Sequence, residues 1–583
     1  MITLPDKEKN KWVRGNGDFF GSFVATKNID FDSKKGSFRL SERMYRVFDS
    51  DDDADFQIPF SIVRTDAFGS AGTYVYVVLT QSAFDPSSGH IWKGGSSAKA
   101  SLTQDSLTNT PTTASGNMVV FGNGGTTDRL VVPLKTSLRM LHNGTWTTSW
   151  LSLGLTYPDH YLYTFGNKLL VPDGNVLHTI DDSLVKALNR IVLPKDYYMT
   201  WITDDGLRTF IGTYNKNRGE GLIFPWDTFT ETYDTPIKTY DDYTYAGCSL
   251  NGILYTINGK GQLLANSGGG LKEVARLPVF DMPYDWIDGF NPHFLVAPNG
   301  MKVIDGKIHI LLSAKIYSVS TGSYVMASGV WVYDGTSLYQ EQSLGKYDGT
   351  TNDSWGDADI ERVGALYPVD KGDGRYLAGA RVYTTGSDNI YALFASKEYS
   401  SVDNRGYLIT SKLVSGDIRS FWQRMKINMR PLENSTDKVV IKYRTEDNQY
   451  VDDVVNNNFF VTWTDTDTFT STDAFLAHVS VGDEIEIIRG TGAGATAHVS
   501  SISLAGSTYT VNLDEAIPNV SSNSKARFTN FRKLEVISGI GTDYDVVSLI
   551  KRSAWIQFKI ELRGDYKSPE IQKLLIENNP SKR

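Results

Sequence analysis

An asparagine or aspartate followed by glycine recurs between apolar runs, at Asn143-Gly144, Asp173-Gly174, Asn258-Gly259 and Asp334-Gly335. Such pairs accept the positive φ angles of a two-residue β-hairpin turn, and no other short signal ties sequence to structure as firmly. The flanking segments read as strands: "RLVVPLKTSLRMLHNGTW", "NKLLVPDGNVLHTI", "NGILYTINGKGQLLA" and "GVWVYDGTSLY". Three more units, "TYVYVVLTQSAFDPSSGHIWKG", "RTFIGTYNKNRGEGLIF" and "NIYALFASKEYSSVDNRGYLITS", carry the same plan across residues 58–418. Hairpins at intervals of roughly 40 to 50 residues predict the four-stranded blades of a β-propeller, six or seven of them. A closed ring of blades leaves only short protected edges, which keeps so much strand from pairing with other chains.

The chain of 583 residues is too long for one hydrophobic core, so three or four domains are expected. Its 31 Tyr, 27 Phe, 12 Trp and 52 Gly favour strands and tight turns, and the expected class is all-β. After residue 418 the pattern changes. "FWQRMKINMRP", "DKVVIKYR", "FRKLEVI" and "AWIQFKIEL" alternate strictly, with Ile556, Phe558, Ile560 and Leu562 on one side and Gln557, Lys559 and Glu561 on the other. Period two predicts half-buried antiparallel strands, hence a β-sandwich over residues 419–455 and 531–583. Residues 456–530, with "VGDEIEIIRGTGAGATAHVSSISLAGSTYTVNLDEAI", have strands and turns of their own and read as an inserted small β-barrel module. Residues 1–57 hold neither period and read as an extended N-terminal arm.

No catalytic, cofactor-binding or metal-binding residue is expected. Cys248 stands alone, so it forms no internal disulfide, and no Cys/His cluster has zinc-site spacing. The acidic stretch "VFDSDDDADFQIPF" (residues 47–60) invites a calcium reading. Counted from Asp49, however, the sixth position of an EF-hand loop is Ala54 rather than glycine, and the twelfth is Phe60 rather than glutamate. The expectation for Asp49 to Asp55 is a solvated seam between two parts of the chain. Gly490, Gly492 and Gly494 lack the lysine and Ser/Thr of a phosphate loop and read as a hairpin turn. His90, His142, His160, His178, His293, His309, His478 and His498 are scattered singly. One carboxylate cluster is compatible with a propeller glycosidase: Asp353, Asp357, Asp359 and Glu361 beside Trp355. An acidic loop between blades is the plainer reading of it.

A formal net charge of −9 disfavours a protein that grips nucleic acid by neutralising phosphates, yet suits one that DNA slides past. The start, "MITLPDKEKNKW", is charged where a secretory signal has an apolar core, and no apolar run reaches membrane-spanning length. Synthesis in a cytoplasm is the expectation.

The stretch "NIDFDSKKGSFRLSERMYRVFDSDDDADFQIPF" resembles the N-terminal region of propeller-bearing structural proteins of tailed bacteriophages. The ending "WIQFKIELRGDYKSPEIQKLLIENN" is similar to the closing strands of phage tail proteins of the nozzle or tail-tube type, and "VGDEIEIIRGTGAG" looks like small β modules of virion proteins. These stretches cover roughly a quarter of the chain, at its ends and in the insert. The resemblance implies a virion component of a short-tailed phage. It would be a homo-oligomeric ring, six subunits if it follows such nozzles, conducting DNA during ejection and contacting portal or adaptor proteins and tail fibres. Two other readings stay open: a glycosidase or lyase acting on host surface polysaccharide, and a glycan- or receptor-binding tail module.

Overall fold

The computed structural model describes residues 2–4, 23–27, 29–31, 37–41, 44–49, 52–81, 89–98, 100–111, 114, 116–122, 127–153, 160–215, 217–239, 243–258, 261–276, 293–318, 323–326, 329–343, 360–369, 375–383, 389–396, 404–414, 420–446, 459–460, 462–489, 496–517, 520, 525–564 and 569–579. The protein is all-β. Seven antiparallel sheets among these residues are each built on a path of four strands, and they are the blades of a propeller. Their innermost strands, in blade order, are Ile58–Thr65, Val119–Phe121, Tyr163–Phe165, Tyr197–Asp204, Thr244–Leu250, Met301–Ile304 and Ile360–Pro368. All seven contribute to the wall of one axial cavity, which gives the ring its hub.

In five blades the four strands follow one another in sequence, and in blade six Ser323–Met326 intervenes between the second and third strands and pairs with the second. The seventh takes its outermost strand from far upstream: Met44–Asp49 pairs antiparallel with Asn389–Ser396. The segment expected as an extended arm therefore supplies the strand that closes the ring. It also supplies Phe23–Lys27, Ile29–Asp30 and Phe38–Leu40 to the sheets of the sandwich. Sequence periodicity misses these strands because they are short and because Phe23–Lys27 and Phe38–Leu40 pair with strands hundreds of residues away.

The acidic seam is a turn within this closure. Asp52 N donates to Asp49 O at 3.1 Å, Asp49 N to Asp52 Oδ2 at 3.1 Å, and Asp55 N to Asp53 Oδ1 at 2.9 Å. These carboxylates satisfy backbone donors of the turn itself. Phe48 and Phe56 flank the turn and pack against Trp92 of the first blade, with ring centroids 5.5 and 5.2 Å away. The three aromatics sit in a core shared by blades one and seven. The joint is tight: a Cβ on Gly364 would lie 1.8 Å from Pro59 O, and one on Gly379 2.4 Å from it. Only glycine lets the two blades approach so closely.

Asn143-Gly144 forms the expected two-residue turn, with φ of 49° and 70°. Asn251-Gly252 and Asp305-Gly306 do the same, with φ of 53° and 75° and of 50° and 73°. At Asp334-Gly335 the loop is longer, because Tyr333 pairs with Leu338. There the Asp334 carboxylate accepts from Thr336 N at 2.8 Å and Ser337 N at 2.7 Å.

Two further sheets form the sandwich. One holds Ser420–Met429 between Glu570–Asn579 and Tyr544–Ser553; the other holds Trp555–Gly564 between Asn404–Thr410 and Lys438–Thr445. Trp422, Met425, Ile427, Ile441, Phe558 and Ile560 fill the space between them. The same apolar cluster runs on into blades six and seven through Val330, Val332, Tyr339, Tyr376 and Ala378. Phe31 bridges the boundary, stacked on Phe23 at 5.1 Å and edge-on to Tyr339 at 4.9 Å.

The second sheet continues through Lys525–Ser538 into the inserted module, Asp483–Arg489, Thr496–Ala505 and Thr508–Leu513, which has a separate core around Phe469, Ile485, Val499, Val511 and Phe528. The alternation rule predicts an exposed face for Gln557, Lys559 and Glu561. All three are buried: Lys559 Nζ reaches Glu484 of the module, Glu561 pairs with Lys442, and Gln557 Nε2 donates to Thr410 O.

Candidate functional site

The axial cavity has a volume of about 670 Å³. Tyr161, Tyr163, Asp204, Asp205, Asn299 and Lys302 are among its polar lining. The Tyr163 hydroxyl donates to Asp204 Oδ2 at 2.6 Å, and burial followed by this contact pushes its pKa well up. Asp204 Oδ1 accepts from Gly206 N at 2.8 Å. Asp205 is capped by Leu207 N, Arg208 N and Arg208 Nε at 3.0, 2.9 and 3.2 Å. Cys248 is buried, which raises its thiol to about 12 and leaves it protonated at neutral pH. A protonated thiol is neither nucleophile nor metal ligand. Asp204 is committed to a hydroxyl and a backbone donor, and Asp205 to backbone donors and the Arg208 guanidinium. This wall is suited to holding a ligand.

A second polar centre lies between the sandwich and the module. Lys442 Nζ bonds Glu484 and lies 2.6 Å from Glu561 Oε2, while Lys559 Nζ lies 2.9 Å from Glu484 Oε1. Arg563 pairs with Glu561 at 2.6 Å and also with Glu515. Burial works to raise the pKa of Glu484, but Lys442, Lys559 and His498 outweigh it and hold the group down to about 2. Glu561 is likewise held far below the usual carboxylate range, by Arg563, Lys442 and Arg405 against its burial. Every cation here has an anion. A buried network so completed fixes how two elements sit together more than it adds stability.

A third centre joins blades six and seven. Glu341 is buried and accepts from Arg375 at 2.5 Å and from Tyr376 Oη at 3.2 Å. His309 Nε2 lies 3.1 Å from Arg375 and Nδ1 3.4 Å from Lys307 O. Burial depresses its pKa to about 4, so the ring is neutral, with Nε2 accepting and Nδ1 donating.

The remaining histidines are dispersed. His90 Nδ1 meets Gln104 at 2.8 Å, His142 meets Thr127 at 3.3 Å, His160 meets Pro172 O at 2.8 Å, and His178 accepts from Asn189 N at 2.9 Å. His478 ends a short 3-10 turn, His498 meets Asp514 at 3.2 Å, and the His293 side chain lies outside the described residues. No group of three metal-ligating side chains gathers among the described residues. Asp353, Asp357, Asp359, the Glu361 side chain and Trp355 lie outside them too, as do Gly490, Gly492 and Gly494.

The surface carries an apolar strip that the sequence reading overlooks. Tyr544–Ser553 ends one sandwich sheet, and on its outward side Tyr544, Val546 and Ile550 are 50%, 41% and 68% exposed. Ile550 adopts φ 43°, a costly conformation for a β-branched residue, where the pairing with Ser420–Met429 slips by one residue. A different side of the molecule, the outermost strand of blade three, Lys186–Val192, exposes Leu188 and Val192.

No family model matches the sequence, and no curated protein matches it. Solved structures do match. Raptor from Chaetomium thermophilum aligns at 11% identity and a TM-score of 0.37 over 61% of this chain, which spans only 30% of that protein. BBS1N, from its complex with ARL6DN, aligns at 11% identity and 0.38 over 61% of this chain and 98% of that one. The N-terminal domain of Nup159 aligns at 12% identity and 0.34, over 66% and 98%. Similarity at this level concerns architecture and carries no argument about activity.

Proposed function

We propose that the protein is a non-enzymatic structural component of a bacteriophage tail, of the nozzle or tail-tube type, that assembles into a ring of identical subunits through which DNA leaves the particle. The observation that carries this reading is the exposed apolar strip of Tyr544, Val546 and Ile550 on the edge strand of a sandwich sheet. A long edge strand with exposed apolar side chains is a liability unless something covers it. A second uncovered strip, at Leu188 and Val192 on a separate strand, suits the two unlike faces of a head-to-tail contact, which closes into a ring when the rotation permits. The resemblance of the chain's two ends to phage tail proteins supports the same reading. The charge of −9 suits a conduit to which DNA does not adhere. Portal or adaptor proteins above and fibres beside the ring are the partners this role implies.

Electron microscopy of negatively stained, purified protein, with light scattering on the same sample, tests it. Closed rings of uniform size are expected. Monomers alone, across protein concentration and salt, would overturn the proposal.

A further inference from the structure

Three turns at one end of blades three and four each hold an apolar side chain out in solvent. Asp181 Oδ1 accepts from Val185 N at 2.8 Å, Asp205 Oδ1 from Leu207 N at 3.0 Å, and Asp227 Oδ1 from Phe229 N at 2.8 Å. The residue just before each apolar one has a positive φ: 65° at Leu184, 90° at Gly206 and 67° at Thr228. A β-branched residue adopts such a φ at a cost, so the turn around Thr228 is imposed by its braces. Val185, Leu207 and Phe229 are 63%, 84% and 70% exposed. The turns are neighbours. Those of Leu207 and Phe229 leave strand ends paired as Thr209 with Trp226, and from blade three Lys168 Nζ donates to Thr228 O at 2.8 Å while Arg190 bonds Phe229 O. Their surroundings are acidic: Asp181, Asp182, Asp205, Asp227, Glu231 and Asp234 outnumber Lys168, Lys186, Arg190 and Arg208.

The sandwich presents the opposite sign. Strand pairing sets Val546 beside Lys426, Ser548 beside Arg424 and Tyr544 beside Asn428, which in turn adjoins Lys573. Cross-strand partners share a face of a sheet, so the apolar strip stands on the same outward side as these cations. The carboxylate on that side, Glu577, is already held by Arg424 and Lys426. Two apolar surfaces of one chain with opposite charge fit a head-to-tail contact, in which apolar area supplies affinity and charge sets orientation.

We propose that the tips Val185, Leu207 and Phe229 are one face of the contact between neighbouring copies of this chain, and that the outward side of the sandwich sheet ending in Tyr544–Ser553 on the next copy is the other. The inference rests on the ring reading and extends its second face, since Val185 leads directly into the strand that carries Leu188 and Val192.

Leu207→Ser with Phe229→Ser blunts the tips, and Val546→Asp with Ile550→Asp spoils the sandwich side. All four side chains are exposed, so both variants should melt within a few degrees of the parent. Sedimentation velocity of the parent, and of the two variants alone and mixed in equal amounts, tests the contact. Rings are expected of the parent and monomers of each variant alone. In the mixture the intact tips of one variant meet the intact sandwich of the other, so a dimer with one chain of each is expected, and no ring. Should the serine pair melt early, Phe229→Ala alone, expected to weaken assembly about tenfold or more, takes its place. A monomeric parent would sink the ring reading and this contact with it. Rings of the parent and of the serine pair alike would sink this contact alone, as would a mixture that stays monomeric. Tips that carry the parent onto phosphatidylcholine vesicles in flotation, while the serine pair still forms rings, would assign them to a lipid surface and overturn the contact.

Discussion

His309 shows how one buried side chain makes stability depend on pH. Its folded-state pKa is depressed to about 4, below the unfolded value of 6.5. Between those values the unfolded chain binds a proton that the folded protein refuses. Stability is therefore complete above the unfolded pKa and falls as pH drops toward 4, by about 3 kcal/mol for this group. Burial depresses His498 in the same direction. We expect His309→Gln to reduce, without abolishing, the loss of urea stability between pH 7 and pH 4.5. An unchanged slope would place the titration elsewhere. The glycines at the ring joint give a second residue-scale prediction. Gly379→Ala drives a Cβ against Pro59 and should cost at least about 2 kcal/mol, whereas Gly269→Ala, with nothing within 4 Å, should stay within about 0.5 kcal/mol. Paired chemical-denaturation curves check both. Neither role could be read from sequence. His309 looks like any isolated histidine, and a glycine required by a close approach is indistinguishable from one required by a turn.

Among the elements, the hairpins were the most legible, because the turn chemistry is local. Asn143-Gly144 behaves as its residue types demand, and Asn251-Gly252 and Asp305-Gly306 carried the same signal unread. The closing strand Met44–Asp49 was illegible for the opposite reason: its meaning lies wholly in a partner at Asn389–Ser396. Phe56→Ala would open the aromatic cluster that pins this strand to blade one and should cost about 3–5 kcal/mol, seen as a lowered denaturation midpoint. The strand Lys438–Thr445 misled through its alternation. Lys442 sits where solvent was expected and is fully buried beneath the module. Lys442→Met would leave Glu484 and Glu561 each short of a cation and should destabilise the protein by about 3–5 kcal/mol, with proteolysis beginning in the module. Resistance equal to the parent's would mean that the network does not hold the module in place.

For the whole molecule, propeller and sandwich share one apolar cluster, so the two lobes should move together. The apolar strip then becomes the feature that matters to assembly. Val546→Asp and Ile550→Asp should leave the melting temperature within a few degrees of the parent's and abolish rings, because both side chains are exposed in the single chain. DNA binding, followed by fluorescence anisotropy at low and physiological salt, should be weak throughout; tight binding with a steep salt slope would contradict a conduit that DNA slides past. The axial cavity itself had no sequence signature, since each of its seven walls contributes only a few residues separated by a whole blade. Closure from upstream also has a temporal consequence. On the ribosome, Met44–Asp49 emerges roughly 340 residues before its partner strand, and Ile2–Leu4 must wait still longer for Glu570–Asn579. At ordinary rates of translation, nascent chains spend tens of seconds with the last blade unlatched, a window in which chaperones, or the wrong neighbour, can claim the open edge.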